Sequence, residues 1–216
     1  MRGVLFFFLF IFIIETASSQ QFHGGLTAGV VGSQVAGDGY SGFHKGGIFA
    51  GGYVGWEFTK HSGLQLELTY FQKGSRENPK EENGYRYLLF RVNYIELPVL
   101  YLLKLPSPKL KNVGDFYIET GPSIGVLTSY FEEKEVQVES DKEGYNKPAA
   151  LTFQWNIGMK YFFVEKFGVD FRYNFSLLNI RLRNVTGDVW RFWTYGQFND
   201  ALVLSVFYQF KEWLSF

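Results

Sequence analysis

Along most of the chain the side chains alternate between apolar and polar with a period of two, about ten residues at a time, and this restricts the fold more than any other feature. Over residues 151–161 one row reads Leu151, Phe153, Trp155, Ile157, Met159 and Tyr161, and the other Thr152, Gln154, Asn156, Gly158 and Lys160. Over 169–177, Val169, Phe171, Tyr173, Phe175 and Leu177 oppose Asp170, Arg172, Asn174 and Ser176. Leu64, Leu66, Leu68 and Tyr70 oppose Gln65, Glu67, Thr69 and Lys73, and Leu202, Leu204, Val206, Tyr208 and Phe210 oppose Ala201, Ser205 and Gln209. Ile48, Ala50, Val54, Trp56 and Phe58 oppose Gly47, Gly51, Tyr53, Gly55 and Glu57. About ten residues is the length of a tilted strand crossing a bilayer. The pattern predicts eight strands, at 22–32, 46–58, 62–73, 87–103, 114–127, 150–163, 166–178 and 200–210. Alternation slips around residues 91–96, and Pro98 cannot donate to a ladder, so a bulge is expected in the fourth strand.

The predicted connections fall into two alternating classes. Three are short or modest (59–61, 104–113 and 164–166) and four are longer (33–45, 74–86, 128–149 and 180–199), with most of the charges in the longer set. Short turns on one side and long loops on the other, with an even strand count, is the plan of an outer-membrane barrel. Alternation alone fits a soluble barrel with its faces exchanged. The polar rows are mostly Gly, Ser, Thr, Asn and Gln with isolated charges, unlike the Lys/Glu-dense face of water-exposed strands. Aromatics also gather near strand ends (Trp56 and Phe58, Tyr70 and Phe71, Tyr161 and Phe162, Tyr208 and Phe210), as interfacial girdles do. The expected fold is therefore all-β: an eight-stranded antiparallel up-and-down transmembrane β-barrel in the outer membrane of a Gram-negative bacterium.

The start of the sequence agrees with export. Arg2 precedes an uncharged apolar run over residues 4–14, too short for the roughly 20 residues of a spanning helix, and Ala17 and Ser19 suit a cleavage site. We read 1–19 as a signal peptide, Gln20 as the mature start, and 20–216 as one barrel domain. Composition excludes several classes. Lys+Arg 21 balances Asp+Glu 21, which leaves no basic face for nucleic acid. Cys 0 removes disulfides, thiolate metal sites and a cysteine nucleophile, and three histidines make a His-rich metal site hard to build. No cofactor or metal is expected.

Several stretches resemble the PorT-like outer-membrane β-barrel family, the porin-like barrels of Bacteroidetes. They are Gly46-Gly47-Ile48-Phe49-Ala50-Gly51; Leu64-Gln65-Leu66-Glu67-Leu68-Thr69-Tyr70 running into Gln72-Lys73-Gly74-Ser75; and Asn93-Tyr94-Ile95-Glu96-Leu97-Pro98. Glu119-Thr120-Gly121-Pro122 and Asp170-Phe171-Arg172-Tyr173-Asn174, with residues 177–180 following, complete an ordered set across nearly the whole mature chain. The first strand (His23-Gly24-Gly25-Leu26) lacks the lysine often found there, and residues 211–216 pass the usual aromatic end, so Phe210 and Phe216 both stand as the signal for the barrel-assembly machinery. The resemblance implies fold and location, and no activity.

Turned inward, the polar rows collect Glu57, Glu67, Glu96, Glu119 and Asp170 against Lys73, Lys160 and Arg172. Charges in so confined a space are expected to pair, and eight strands leave a bore that side chains fill. The expected lumen is a structural polar plug; the alternative is a narrow porin-like path for ions or small solutes. Outside, loop 128–149 is acidic (Glu132, Glu133, Glu135, Glu139, Asp141, Glu143), whereas loop 180–199 carries Arg181, Arg183, Trp190, Arg191, Phe192, Trp193 and Tyr195. Such loops engage lipopolysaccharide and outer-membrane lipid, and Trp and Arg together also suit a recognition surface for a protein partner. For a lipid-modifying enzyme the candidate set is His44 with Ser41 and Asp38, in a Gly-rich loop that fixes no geometry. His23 and His61 fall near the periplasmic end as structural residues. The leading expectation is a non-enzymatic barrel, structural or binding through its loops.

Overall fold

The computed structural model describes residues 21–106, 114–134, 147–182 and 189–210. Its strands are β1 (Gln21–Ala36), β2 (Lys45–Thr59), β3 (Ser62–Glu77), β4 (Leu88–Lys104), β5 (Phe116–Lys134), β6 (Leu151–Val164), β7 (Phe167–Ser176), two short strands β8 (Val189–Arg191) and β9 (Thr194–Gly196), and β10 (Phe198–Gln209). Eight of these close into one barrel in the order β1-β10-β7-β6-β5-β4-β3-β2, every neighbour antiparallel. Closure runs through β1 and β10, from Gly25↔Gln209 to Ala36↔Phe198, so no sheet edge is left for lipid to meet. The expected signal segment 1–19, Gln20, Phe216, Arg183 and the acidic residues Glu135, Glu139, Asp141 and Glu143 lie outside the described residues.

The wall is inside out relative to a soluble protein. Val30 is 63% exposed and Val206 58%, whereas Arg172, on the opposite face of the wall, is 1% exposed. The outward row of β6 (Leu151, Phe153, Trp155, Ile157, Met159) carries no charge, as a lipid face requires, since a Lys or Arg there would cost about 2–4 kcal/mol at mid-bilayer. At the end with the short turns, outward aromatics stack in a run around the wall: Phe22 on Trp56, Trp56 on Phe58, Phe58 against Tyr101, Phe116 against Tyr161, and Phe167 and Phe210 against Tyr208. This is an interfacial girdle. Two residues assigned to it from sequence point the other way. Phe71 lies in the bore, edge-on to Phe49 at 5.2 Å, and Phe162 packs on the inward Phe207 at 4.7 Å.

Two further expectations are corrected. The irregularity belongs to β5: pairing steps from Asn93↔Ser129 to Tyr94↔Leu127, leaving Thr128 as the extra residue, its Oγ1 donating to the Asn93 carbonyl at 3.0 Å. In β4 the even-numbered residues from Leu88 to Leu102 all face inward; the slip seen in sequence was a change in what the bore contains, apolar above and charged below. Pro98 interrupts the ladder to β3, which resumes in the same register on either side at Leu66↔Val99 and Thr69↔Glu96. Second, β1, β3 and β5 run on to Ala36, Glu77 and Lys134, into stretches expected to be loops. Beyond the lipid both faces can be polar, so the alternation fades while the backbone ladder continues.

Candidate functional site: the plugged bore and its two mouths

Strand parity brings the inward polar residues of β3, β4, β5, β6 and β7 together in the bore, and Arg172 of β7 holds the centre. Its Nε donates to Glu119 Oε1 of β5 at 2.6 Å, Nη1 and Nη2 make a two-pronged contact to Glu67 of β3 at 2.8 and 2.9 Å, and Nη2 also reaches Asp170 Oδ2 at 2.8 Å. A planar guanidinium suits this, because its five N–H groups form a rigid fork matched to carboxylates. The contact crosses the bore from β7 to β3, between strands that are not neighbours in the sheet.

Toward the extracellular side, Lys73 Nζ donates to Glu96 Oε1 at 2.5 Å and Asn174 Oδ1 at 2.6 Å, and lies 4.0 Å from the Phe71 ring centre. Asn174 continues to Asn156 at 2.8 Å, and Asn156 to Ser123 at 3.2 Å. Toward the periplasm, Lys160 donates to Gln65 at 2.9 Å, Gln65 donates to Glu67 at 2.5 Å, and Lys160 stands 3.8 Å from Glu119. Charges buried this fully persist because they are paired and hydrogen-bonded. Glycines make room: a Cβ on Gly158 would meet Glu119 Oε1 at 2.7 Å, and one on Gly125 would meet Glu96 Cγ at 3.2 Å.

Apolar side chains pack beside and above the charges. Val31, Phe49, Phe71, Ala201 and Val203 pack together in the bore at the level of Arg172, and Val35, Leu88, Phe90, Val92, Tyr94 and Ile180 fill the extracellular end. Above them the Arg181 guanidinium lies 4.2 Å from the Phe90 ring centre, bonded to Glu132 at 2.6 Å and Gln197 at 2.5 Å. At the periplasmic end the bore widens into a cavity of about 360 Å³ whose lining includes His23, Tyr53, Glu57, Gln65, Tyr117 and Lys160.

Seven of the eight residues expected in the lumen network are thus buried in the bore, in two bonded groups: Glu67, Glu119, Lys160, Asp170 and Arg172 in one, and Lys73 with Glu96 in the other. Glu57, the eighth, is partly exposed on the cavity rim, because β2 leaves the sealed section two residues earlier. Sequence reasoning passed over Asn156, Asn174 and Gln65 as linkers of the network; their signal was the amide-rich polar row itself. Among the loop residues, Arg181 is no recognition surface, being 5% exposed beneath the extracellular mouth. Arg191 forms a two-pronged pair with Asp200 at 2.6 and 2.8 Å, and these hydrogen bonds raise its already high pKa. Trp190, Trp193 and Tyr195 are exposed. In the first long loop, Asp38 accepts from the Tyr40 amide at 2.8 Å, while Ser41 and His44 are exposed and, among the described residues, share no hydrogen bond. His23 stands edge-on to Tyr53, and His61 lies exposed in the β2–β3 turn.

Among solved structures the chain is similar to Ail, the attachment invasion locus protein of Yersinia pestis (13% identity, 88% of this chain and 99% of that one, TM-score 0.46). It is also similar to Neisserial surface protein A (10% identity, 89% and 100%, TM-score 0.45) and to the outer membrane enzyme PagL (10% identity, 88% and 99%, TM-score 0.42). At such identities these likenesses say nothing about activity. No curated protein matches the sequence. The family described as outer membrane protein beta-barrel domain matches residues 17–181, three quarters of the chain, and with the closed eight-stranded wall around a paired polar bore on the page, the chain belongs to that family of outer-membrane barrels.

Proposed function

We propose that this protein is a sealed, non-enzymatic outer-membrane barrel of the PorT-like kind, delivered by a signal peptide and the barrel-assembly machinery, which acts through its extracellular rim on lipopolysaccharide, lipid or a protein partner. The observation that carries the reading is Arg172 reaching across the bore to Glu67 and Glu119, all three nearly inaccessible to water. A solute or ion path would have to break this system, and separating a buried ion pair costs on the order of 3–5 kcal/mol. Exposed Ser41 and His44 with no bond between them argue against acyl-transfer chemistry at the first long loop, which needs a nucleophile held against its base. Refolded protein in planar bilayers tests the reading: the expected result is a silent membrane. Steady conductance steps abolished by Arg172→Ala or Glu119→Gln would replace it with the narrow porin.

A further inference from the structure

The hairpin β8–β9 lies against the outside of the barrel, and two residues of β10 betray it. Phe198 and Asp200 belong to the same outward row as Leu204 and Val206, which are 55% and 58% exposed, yet they are 0% and 2% exposed. What covers them comes at least in part from the hairpin. Arg191 pairs with both oxygens of Asp200, and its guanidinium lies 5.0 Å from the Phe198 ring centre. At the hairpin tip Phe192 holds φ 51, and its ring stacks on Phe175 of β7 at 6.3 Å and 29°. Phe175 in turn stacks on Tyr173 at 5.3 Å. Phe175 pairs with Trp155 across β6–β7 and with Asp200 across β7–β10, so the tip reaches the level of outward aromatics on two strands.

The other face of the hairpin has no cover among the described residues. Trp190 and Tyr195 sit opposite one another in the β8–β9 ladder and share that face, with Trp193 beside Phe192 at the tip. Trp190 is 69% exposed and Trp193 74%. Large aromatics continuous with a lipid-facing wall, at the end where it leaves the hydrocarbon, meet the acyl–headgroup boundary, because their rings are apolar and their N–H or O–H needs a polar partner. Arg191 contributes no free charge on that face; Asp200 neutralises it.

We propose that β8–β9 is a strap latched by Arg191–Asp200 onto the outer wall, and that Trp190, Trp193 and Tyr195 dip into the boundary region of the outer-leaflet lipid. The proposal rests on reading the extracellular rim as the working surface and names lipid as what this part of it meets. The strap thus widens the aromatic belt on the β7–β10 side and gives the barrel a preferred face toward the bilayer.

Full-length protein in nanodiscs tests this, comparing the parent with Trp190→Phe/Trp193→Phe so that the difference emission belongs to the hairpin. Phosphatidylcholine brominated near its ester carbonyls is expected to quench that difference signal roughly twofold, as indoles at the interface require, while iodide in the water quenches it little. Asp200→Asn, which releases the latch, is expected to move the signal toward iodide. A difference signal indifferent to bromolipid and freely quenched by iodide overturns the proposal and turns the face toward water and a protein partner; bromolipid quenching that survives Asp200→Asn overturns the latch. Conductance reads the sealed bore separately, so a silent barrel without bromolipid quenching fails only here, and a conducting one with it fails only the functional reading.

Discussion

Replacing Arg172 with methionine keeps most of the side-chain length and removes the charge that three carboxylates share. Glu67, Glu119 and Asp170 are at most 2% exposed and accept four hydrogen bonds from this one group at 2.6–2.9 Å. Lys160 remains for Glu119, at 3.8 Å, while among the described residues the hydrogen bond left to Glu67 is the Gln65 amide. Removing one partner from a buried ion pair costs about 3–5 kcal/mol, because a charge stays behind in a place water cannot reach. With a urea slope of about 2 kcal/mol per molar, that cost lowers the unfolding midpoint by about 1.5–2.5 M. The assay is a urea titration of the barrel folded in lipid vesicles, followed by tryptophan emission. Adding Glu67→Gln to Arg172→Met is expected to recover part of the loss, since the amide carries no charge to strand; the double-mutant cycle then shows a coupling of at least about 1 kcal/mol. A midpoint for Arg172→Met within about 0.5 kcal/mol of the parent's would refute the reasoning, because surface substitutions behave that way.

Other outcomes follow from the same geometry. Lys73→Met leaves Glu96 with a 3.4 Å contact from Asn174 as its remaining carboxylate hydrogen bond and is expected to lower stability by about 3 kcal/mol, most of it regained in Lys73→Met/Glu96→Gln, where both charges are gone. Gly158→Ala places a Cβ 2.7 Å from Glu119 Oε1 and 2.8 Å from the Phe171 carbonyl; the first can move and the second, in the ladder, cannot, so a loss of about 1–3 kcal/mol is expected in the same titration. Gly46→Ala meets no atom within 4 Å and should stay within about 0.5 kcal/mol of the parent, which makes it the control.

The barrel was legible because a wall with lipid on one side and a polar bore on the other must alternate, residue by residue, wherever it lies in the membrane. That is why the strand centres in β2, β3, β6 and β7 were readable while the upper ends of β1, β3 and β5 were not. The charged plug was legible through parity alone, since Glu67 and Lys73, Glu119, and Asp170 and Arg172 fall in inward rows otherwise made of small, amide, hydroxyl and aromatic side chains. What parity does not encode is height along the axis. Arg181 sits inside the extracellular mouth and Glu57 on the periplasmic rim, and each was grouped with residues at another level. Phe71 and Phe162 were misassigned because an aromatic near a strand end reads as a girdle member; here the bore is layered, and both fill its apolar tiers. The β8–β9 hairpin is three residues per strand, too short for any periodicity to register. Its one sequence trace is Asp200, a carboxylate in an outward row of Leu and Val that only a partner such as Arg191 makes tolerable.

Whether lipid or water touches the outward row can be read strand by strand. The chain has no native cysteine, so spin labels placed one at a time along residues 151–161 of the bilayer-embedded protein report only their own position. Oxygen, which partitions into acyl chains, should relax labels at Phe153, Trp155, Ile157 and Met159 most, with a water-soluble nickel chelate nearly blind to them and minima of both probes at Gln154, Asn156 and Gly158. Maxima of the nickel chelate at Phe153 or Ile157 would mean that these side chains face water, and the inside-out barrel would be wrong.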